Sequence, residues 1–292
     1  FYSMLNRSFG LRKNIMQNNL TTLRPKFQYH PYHMVTPSPW PVLVSFSLLI
    51  LAMSAAIYFH GYASPTGGSV LPIVFIGFAT VVGSMALWFR DVTTEGTFLG
   101  DHTVKVQKSL TIGMLLFILT EAFFFVSIFW ALFNSSLSPD VQLGGQWPPV
   151  GIESINAFEL PLLNTVLLLS SGATVTYSHH ALINKNRSGA IIGLILTVVL
   201  AVAFTACQGV EYTNAPFTIA DGVYGSTFYL STGFHAIHVM LGTLMLSVAL
   251  GRMVQYHFTN KHHVGYESSI LYWHFVDVVW LFLFVSVYWF GG

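Results

Sequence analysis

The 292-residue chain is 53% hydrophobic and only 8% charged, with a mean hydropathy of +0.62, whereas soluble domains carry about 25% charged residues. That balance excludes a soluble globular protein and makes the membrane-spanning segment the unit of organisation. A net charge of +1 implies no nucleic acid or acidic partner, and the single Cys207 excludes an intrachain disulfide and any cysteine-rich zinc or iron–sulfur site.

Residues 1 to 36 hold Arg7, Arg12, Lys13, Arg24 and Lys26 and no acid. This basic stretch fits an organellar transit peptide and a retained flank of the first span equally well. Seven apolar segments follow, at roughly 40–60, 70–89, 110–133, 160–183, 189–210, 226–250 and 270–290. Each is close to the ~20 residues a helix needs to cross a hydrocarbon core of ~30 Å. Turn-forming strings separate them, among them SPTGG after the first and NKNRSG between the fourth and fifth.

Alternating the seven segments puts all twelve Lys and Arg on the side of the amino terminus. The opposite loops are then expected to carry Asp140, Glu153, Glu159, Glu211 and Asp221 with no basic residue. Adding or removing one helix destroys this partition, so the charge pattern supports both the count and the orientation. Trp40, Trp88, Trp130, Tyr288 and Trp289 fall at segment ends and are expected to be interface anchors. The fourth segment differs, because SSGATVTYSHH is too polar for a lipid-facing surface and suits interhelical hydrogen bonds. Gly189 and Gly193 form a GxxxG read as helix packing.

The third segment, LTIGMLLFILTEAFFFVSIFWALF, has one ionisable residue, Glu121, at its middle. An ionised carboxylate there costs on the order of 2.5 to 3.5 kcal/mol, so Glu121 should be protonated, paired, or turned into the protein interior. A neutral Glu hydrogen-bonding a neighbouring helix is the plain reading, and a proton relay or ion site the sharper one. Of twelve histidines, His235 and His238 share one helix face, as do His274 and Asp277, which are spaced for a partial ion pair. A haem or copper site needs several such histidines to converge, so hydrogen-bonded bundle groups are the preferred reading. No phosphate loop, HExxH or GxSxG string occurs. These residues alone leave open a proton-coupled transporter using Glu121 and Asp277, although paired repeats and matching broken helices are absent from the pattern.

Several strings carry more information in their order: HMVTPSPWPV at 33–42, FLGDHT at 98–103, WPPVGI at 147–152, SSGATVTYSHHAL at 170–182, EYTNAPFTIADGVYGSTF at 211–228 and HFVDVVWLFLFVSVYWFGG at 274–292. From about residue 30 to the end the chain resembles subunit III of mitochondrial cytochrome c oxidase, while the first thirty residues depart from that pattern. The resemblance implies an all-α integral membrane bundle of seven transmembrane helices. Helices 1–2 (37–104) would be separated by a lipid-filled V-shaped cleft from a five-helix bundle (105–292), after a basic matrix-facing segment (1–36).

It further implies a non-redox core subunit of respiratory complex IV in the mitochondrial inner membrane, amino terminus in the matrix and carboxyl terminus in the intermembrane space. No metal or redox cofactor would belong to this chain, haem and copper lying in partner subunits. Catalytic subunit I and the other oxidase subunits would be its partners, with supercomplex assembly open to it. In that family picture it stabilises the catalytic subunit and supports proton uptake. Trp88, Arg90, Glu95, His102, Arg252, His262 and His263 would face phospholipid headgroups. Glu121 matches the family's carbodiimide-reactive buried carboxyl, with a structural or lipid-linked role.

Overall fold

A computed structural model describes residues 29–61, 69–141 and 144–292. Most of the basic segment expected over 1–36 lies outside these residues. The described residues form seven helices long and apolar enough to cross a membrane. They are α1 (Trp40–Phe59), α2 (Leu71–Thr94), α3 (Val104–Leu137), α4 (Leu160–Ile183), α5 (Arg187–Asn214), α6 (Gly222–Val254) and α7 (Val264–Leu283). Wide π-helical turns extend α2 over Glu95–Leu99 and α7 over Phe284–Trp289. No strand occurs among the described residues. All seven expected segments are present, and α2, α3 and α6 run several residues past their apolar runs.

The chain divides after Lys108 into two compact units. In the first, α1 packs along α2 through small residues. Ser47 and Ser54 of α1 and Ser84 of α2 are buried, while Phe46, Leu49, Phe75 and Phe78 point outwards. The serine hydroxyls satisfy themselves on their own helices, as Ser47 does on the Leu43 carbonyl at 2.7 Å and Ser84 on Thr80 at 2.7 Å. Backbones meet at Gly77, where a Cβ would lie 2.9 Å from the Leu51 Cα. This is the small-residue packing that apolar solvent leaves available to helices.

In the second unit α4 packs on α5 and α7, and α6 packs on α5 and α7 as well. The core between these four helices is built on Leu168, Leu194, Phe204, Leu246, Trp273 and Trp280, each at most 1% exposed. The polar run of α4 faces inward and works as expected. Ser171 accepts from the Trp273 indole at 2.9 Å, Thr174 meets Thr197 at 2.8 Å, and Ser178 donates to the Ala190 carbonyl while accepting from Tyr266 Oη, both at 2.6 Å. The GxxxG glycine Gly193 lets α5 approach α4, since a Cβ there would lie 2.9 Å from the Ser178 Cβ. Helix α3 meets this core along one stripe of Phe125, Ile128 and Leu132, and most of its other side chains face outwards.

Two tight links hold the ends of the second unit. Lys185 and Tyr256 adopt left-handed φ of 62° and 64°. Each closes its helix in the Schellman pattern: Asn186 N–H donates to Ala181 at 2.8 Å, and His257 N–H to Arg252 at 3.0 Å. Asn186 then caps α5 by accepting from Gly189 N–H at 3.1 Å. The Arg187 guanidinium donates to the Met253 carbonyl and lies 3.5 Å above the Tyr256 ring. Thus Lys185, Arg187 and Arg252 gather at one end of this unit, as the charge partition requires.

Two residues depart from their sequence expectations. Glu211 is not in a loop: α5 continues to Asn214 and leaves it 2% exposed. Tyr288 is not an interface anchor: the wide turn at the end of α7 aims it inward, 2% exposed, while Trp289 remains 63% exposed. The two corrections share one cause, for Tyr288 Oη donates to Glu211 Oε1 at 2.5 Å.

Candidate functional site

Glu121 of α3 finds its partner on α6. Its Oε2 lies 3.0 Å from His238 Nε2, and His238 Nδ1 lies 2.8 Å from the Phe234 carbonyl oxygen. A carbonyl only accepts, so Nδ1 carries a hydrogen. Nε2 then either accepts from a protonated Glu121 or, as imidazolium, donates to its carboxylate. Both forms share one proton between Oε2 and Nε2 and leave the pair without net charge, which suits mid-membrane placement. Phe125, Phe234 and Tyr272 surround the imidazole, with ring centroids 5.0, 4.7 and 6.1 Å away.

The carboxyl expected to be buried is only partly so: the Glu121 side chain is 25% exposed, against 5% for His238. It lies one turn before Phe125, where the stripe that α3 presents to the core begins.

Two other intramembrane histidines, His235 and His274, are spent on separate partners. His235 Nε2 lies 3.2 Å from the Val276 carbonyl oxygen, and its ring packs against Phe204 and Trp280. His274 Nδ1 is 3.6 Å from Asp277 Oδ2, and its Nε2 is 3.4 Å from Thr176 Oγ1. Asp277 Oδ2 presses on α4 at Gly172, where a Cβ would lie 2.6 Å from it. Among the described residues its buried Oδ1 has no hydrogen-bond partner.

A further polar cluster carries no sequence signal. Glu211 Oε1 accepts from Gln208 Nε2 at 3.1 Å as well as from Tyr288. The sequence offers only the i,i+3 spacing of Gln208 and Glu211, while Tyr288 arrives from 77 residues away.

The residues expected to face headgroups fall into two groups. In the first unit Trp88 and Arg90 are exposed on the last turns of α2. Arg90 pairs with Asp91 at 3.0 Å, and Asp91 also accepts from the Trp40 indole at 2.6 Å. Glu95 and His102 approach His33, their ligand atoms all lying within 4.8 Å of one another. In the second unit Arg252 lies 4.4 Å over the Phe258 ring and His262 is half-buried. His263 turns inward: Nδ1 meets the Thr259 carbonyl at 2.9 Å and Nε2 meets His179 Nε2 at 3.3 Å. In the link between α6 and α7, burial, helped by the Arg252 charge, holds His257 below the ordinary histidine range.

The fold and these intramembrane groups define a polytopic membrane protein of the alternating seven-helix kind. Residues 30–292 match the family model described as cytochrome c oxidase subunit III. The chain is 66% identical over 274 residues to cytochrome c oxidase subunit 3 of Mycosarcoma maydis, covering 94% of this chain and 100% of that protein. It is 58% identical to the same subunit of Rhizopus stolonifer over 276 residues (94% and 96%), and 58% identical to that of Pyricularia grisea over 275 residues (94% and 100%). The chain belongs to the cytochrome c oxidase subunit III family. That membership makes it a multi-pass inner-membrane subunit of an oxidoreductase complex, in company with catalytic subunit I.

Proposed function

We propose that the chain acts as a non-redox core subunit that stabilises catalytic subunit I, binds phospholipids and supports proton uptake, while haem and copper sit in the partner subunits. The observation that carries this reading is how the intramembrane polar groups are used. His238 holds Glu121, His235 holds the Val276 carbonyl, and His274 holds Asp277 and Thr176. Each interaction joins two helices or braces one, which is the work of a scaffold.

The same reading makes residues 37–104 and 105–292 separate working parts, with the basic end, from residue 1 through Arg252 and Lys261, in the matrix. Gly292 then faces the intermembrane space. Headgroup contacts are assigned to Trp88, Arg90, Glu95 and His102 in one part and to Arg252 and His262 in the other. His263 contributes less, because both its ring nitrogens already face protein atoms. Supercomplex assembly would use surfaces outside these contacts.

Affinity purification through a tag on this chain tests the proposal. Haem and copper should co-purify in the assembled complex and stay with the other subunits when the chain is dissociated. A stoichiometric Soret band on the separated chain would overturn it.

A further inference from the structure

We propose that His179, His263 and Glu267 form a binding site for a divalent transition-metal ion, with zinc the best fit. His179 comes from the last turns of α4, His263 precedes the first turn of α7, and Glu267 lies four residues on, over the same face. His263 Nε2 is 3.3 Å from His179 Nε2 and 3.2 Å from Glu267 Oε1, and the three atoms all lie within 4.8 Å of one another. Donors bound at about 2.0 to 2.1 Å in a tetrahedron stand roughly 3.3 Å apart. Two edges of the triangle therefore already have the length a zinc ion imposes.

The hydrogen-bond inventory leads the same way. The Thr259 carbonyl holds a hydrogen on His263 Nδ1, so the neutral ring turns a lone pair at Nε2 toward the Glu267 carboxylate. In that neutral form acceptor faces acceptor, with the His263 side chain 6% and the Glu267 side chain 39% exposed. A proton on His263 or His179 serves one of these contacts; with His179 in the tautomer that frees Nε2, a cation takes a lone pair from all three atoms at once.

The donors are also held in place. The carbonyl on Nδ1 is the outer contact that fixes the tautomer of metal-bound histidine. Tyr266 packs edge-on against His179 at 6.0 Å, its hydroxyl anchored to Ser178 at 2.6 Å. Two imidazoles and one carboxylate favour zinc, cobalt, nickel or copper over calcium and magnesium. The fourth tetrahedral corner is left to water or an exogenous ligand. Arg252 lies nearby, its Nη1 2.8 Å from where a Cβ on Gly265 would sit. That charge weakens the site relative to a thiolate cage.

The test uses the intact oxidase complex, stripped with a chelator and titrated with Zn²⁺ against a chromophoric competitor. His179→Gln and Glu267→Gln complexes should each lose one zinc equivalent, or bind it at least about tenfold more weakly, since losing a ligand costs no less than losing its outer contact. Zinc-edge anomalous scattering from the wild-type complex should show a peak between the two Nε2 atoms and Glu267. Equal zinc stoichiometry and affinity in wild type and both variants would overturn the site. If the variants fail to assemble, the wild-type map decides alone, and absence of that peak at saturating Zn²⁺ overturns it.

Discussion

Replacing Glu121 separates the pairing of this carboxyl from any obligatory role in the chemistry. Phe234 keeps the hydrogen on His238 Nδ1 whatever stands at position 121, so Nε2 needs a hydrogen-bonding group there, a donor to the neutral ring or an acceptor from the imidazolium, or it goes unpaired. Glu121→Gln supplies one, since an amide N–H can donate across the same 3.0 Å gap. Glu121→Ala supplies none. It leaves a nitrogen on a side chain only 5% exposed without its partner, a penalty of about 1 to 3 kcal/mol. In an equilibrium that is roughly a 5- to 150-fold loss.

Retention of the chain by the detergent-solubilised complex, measured against temperature, should therefore fall for Glu121→Ala and stay near wild type for Glu121→Gln. The double variant Glu121→Leu with His238→Phe should recover much of the loss, because removing both partners together leaves nothing unpaired. Oxygen reduction should persist in each complex that assembles. Equal damage from Gln and Ala would refute the pairing argument, and abolished turnover in an assembled Glu121→Gln complex would place the carboxyl on an obligatory proton path.

Gly172→Ala forces a Cβ to 2.6 Å from Asp277 Oδ2, so it should push α7 from α4 and lower the thermal stability of the complex more than Ala173→Gly on the exposed face of the same helix; equal melting would deny the contact. Tyr288→Phe removes the hydroxyl that donates to Glu211 while Gln208 still donates to the same oxygen, so it should cost about 0.5 to 1.5 kcal/mol, read as faster loss of the chain in denaturant titrations. Arg90→Ala should reduce co-purifying phospholipid in mass spectrometry with haem content nearly unchanged, because that side chain is 65% exposed beyond its bond to Asp91. Unchanged lipid would leave Arg90 a snorkelling cation without a particular headgroup.

What the sequence made legible is what repeats or accumulates along it. Seven apolar runs and the one-sided basic charge give the spans, and the hydroxyl-rich run of α4 marks the most heavily bonded face before any partner is known. Helix ends were less legible, because hydropathy falls before the helix stops: Glu211 reads as a loop acid, yet α5 encloses it. Partners were least legible. Glu121 and His238 are 117 residues apart, His179 and His263 are 84 apart, and Tyr288 and Glu211 are 77 apart. A helical period says which face a residue takes and nothing about which helix will face it. Trp40 shows the same limit, for its place at a span end suits an interface anchor while its indole is fixed to Asp91 on α2.

Depleting this chain from the purified complex decides whether it supports the oxidase without carrying its redox chemistry. Absorption spectra, copper content and oxygen uptake are then followed in the remainder. For a supporting subunit, haem and copper per complex should be unchanged and initial oxygen uptake near normal, with lipid phosphorus falling and activity decaying faster on continued turnover. Loss of a haem or copper equivalent in step with the chain, or immediate loss of oxygen uptake, would contradict that role.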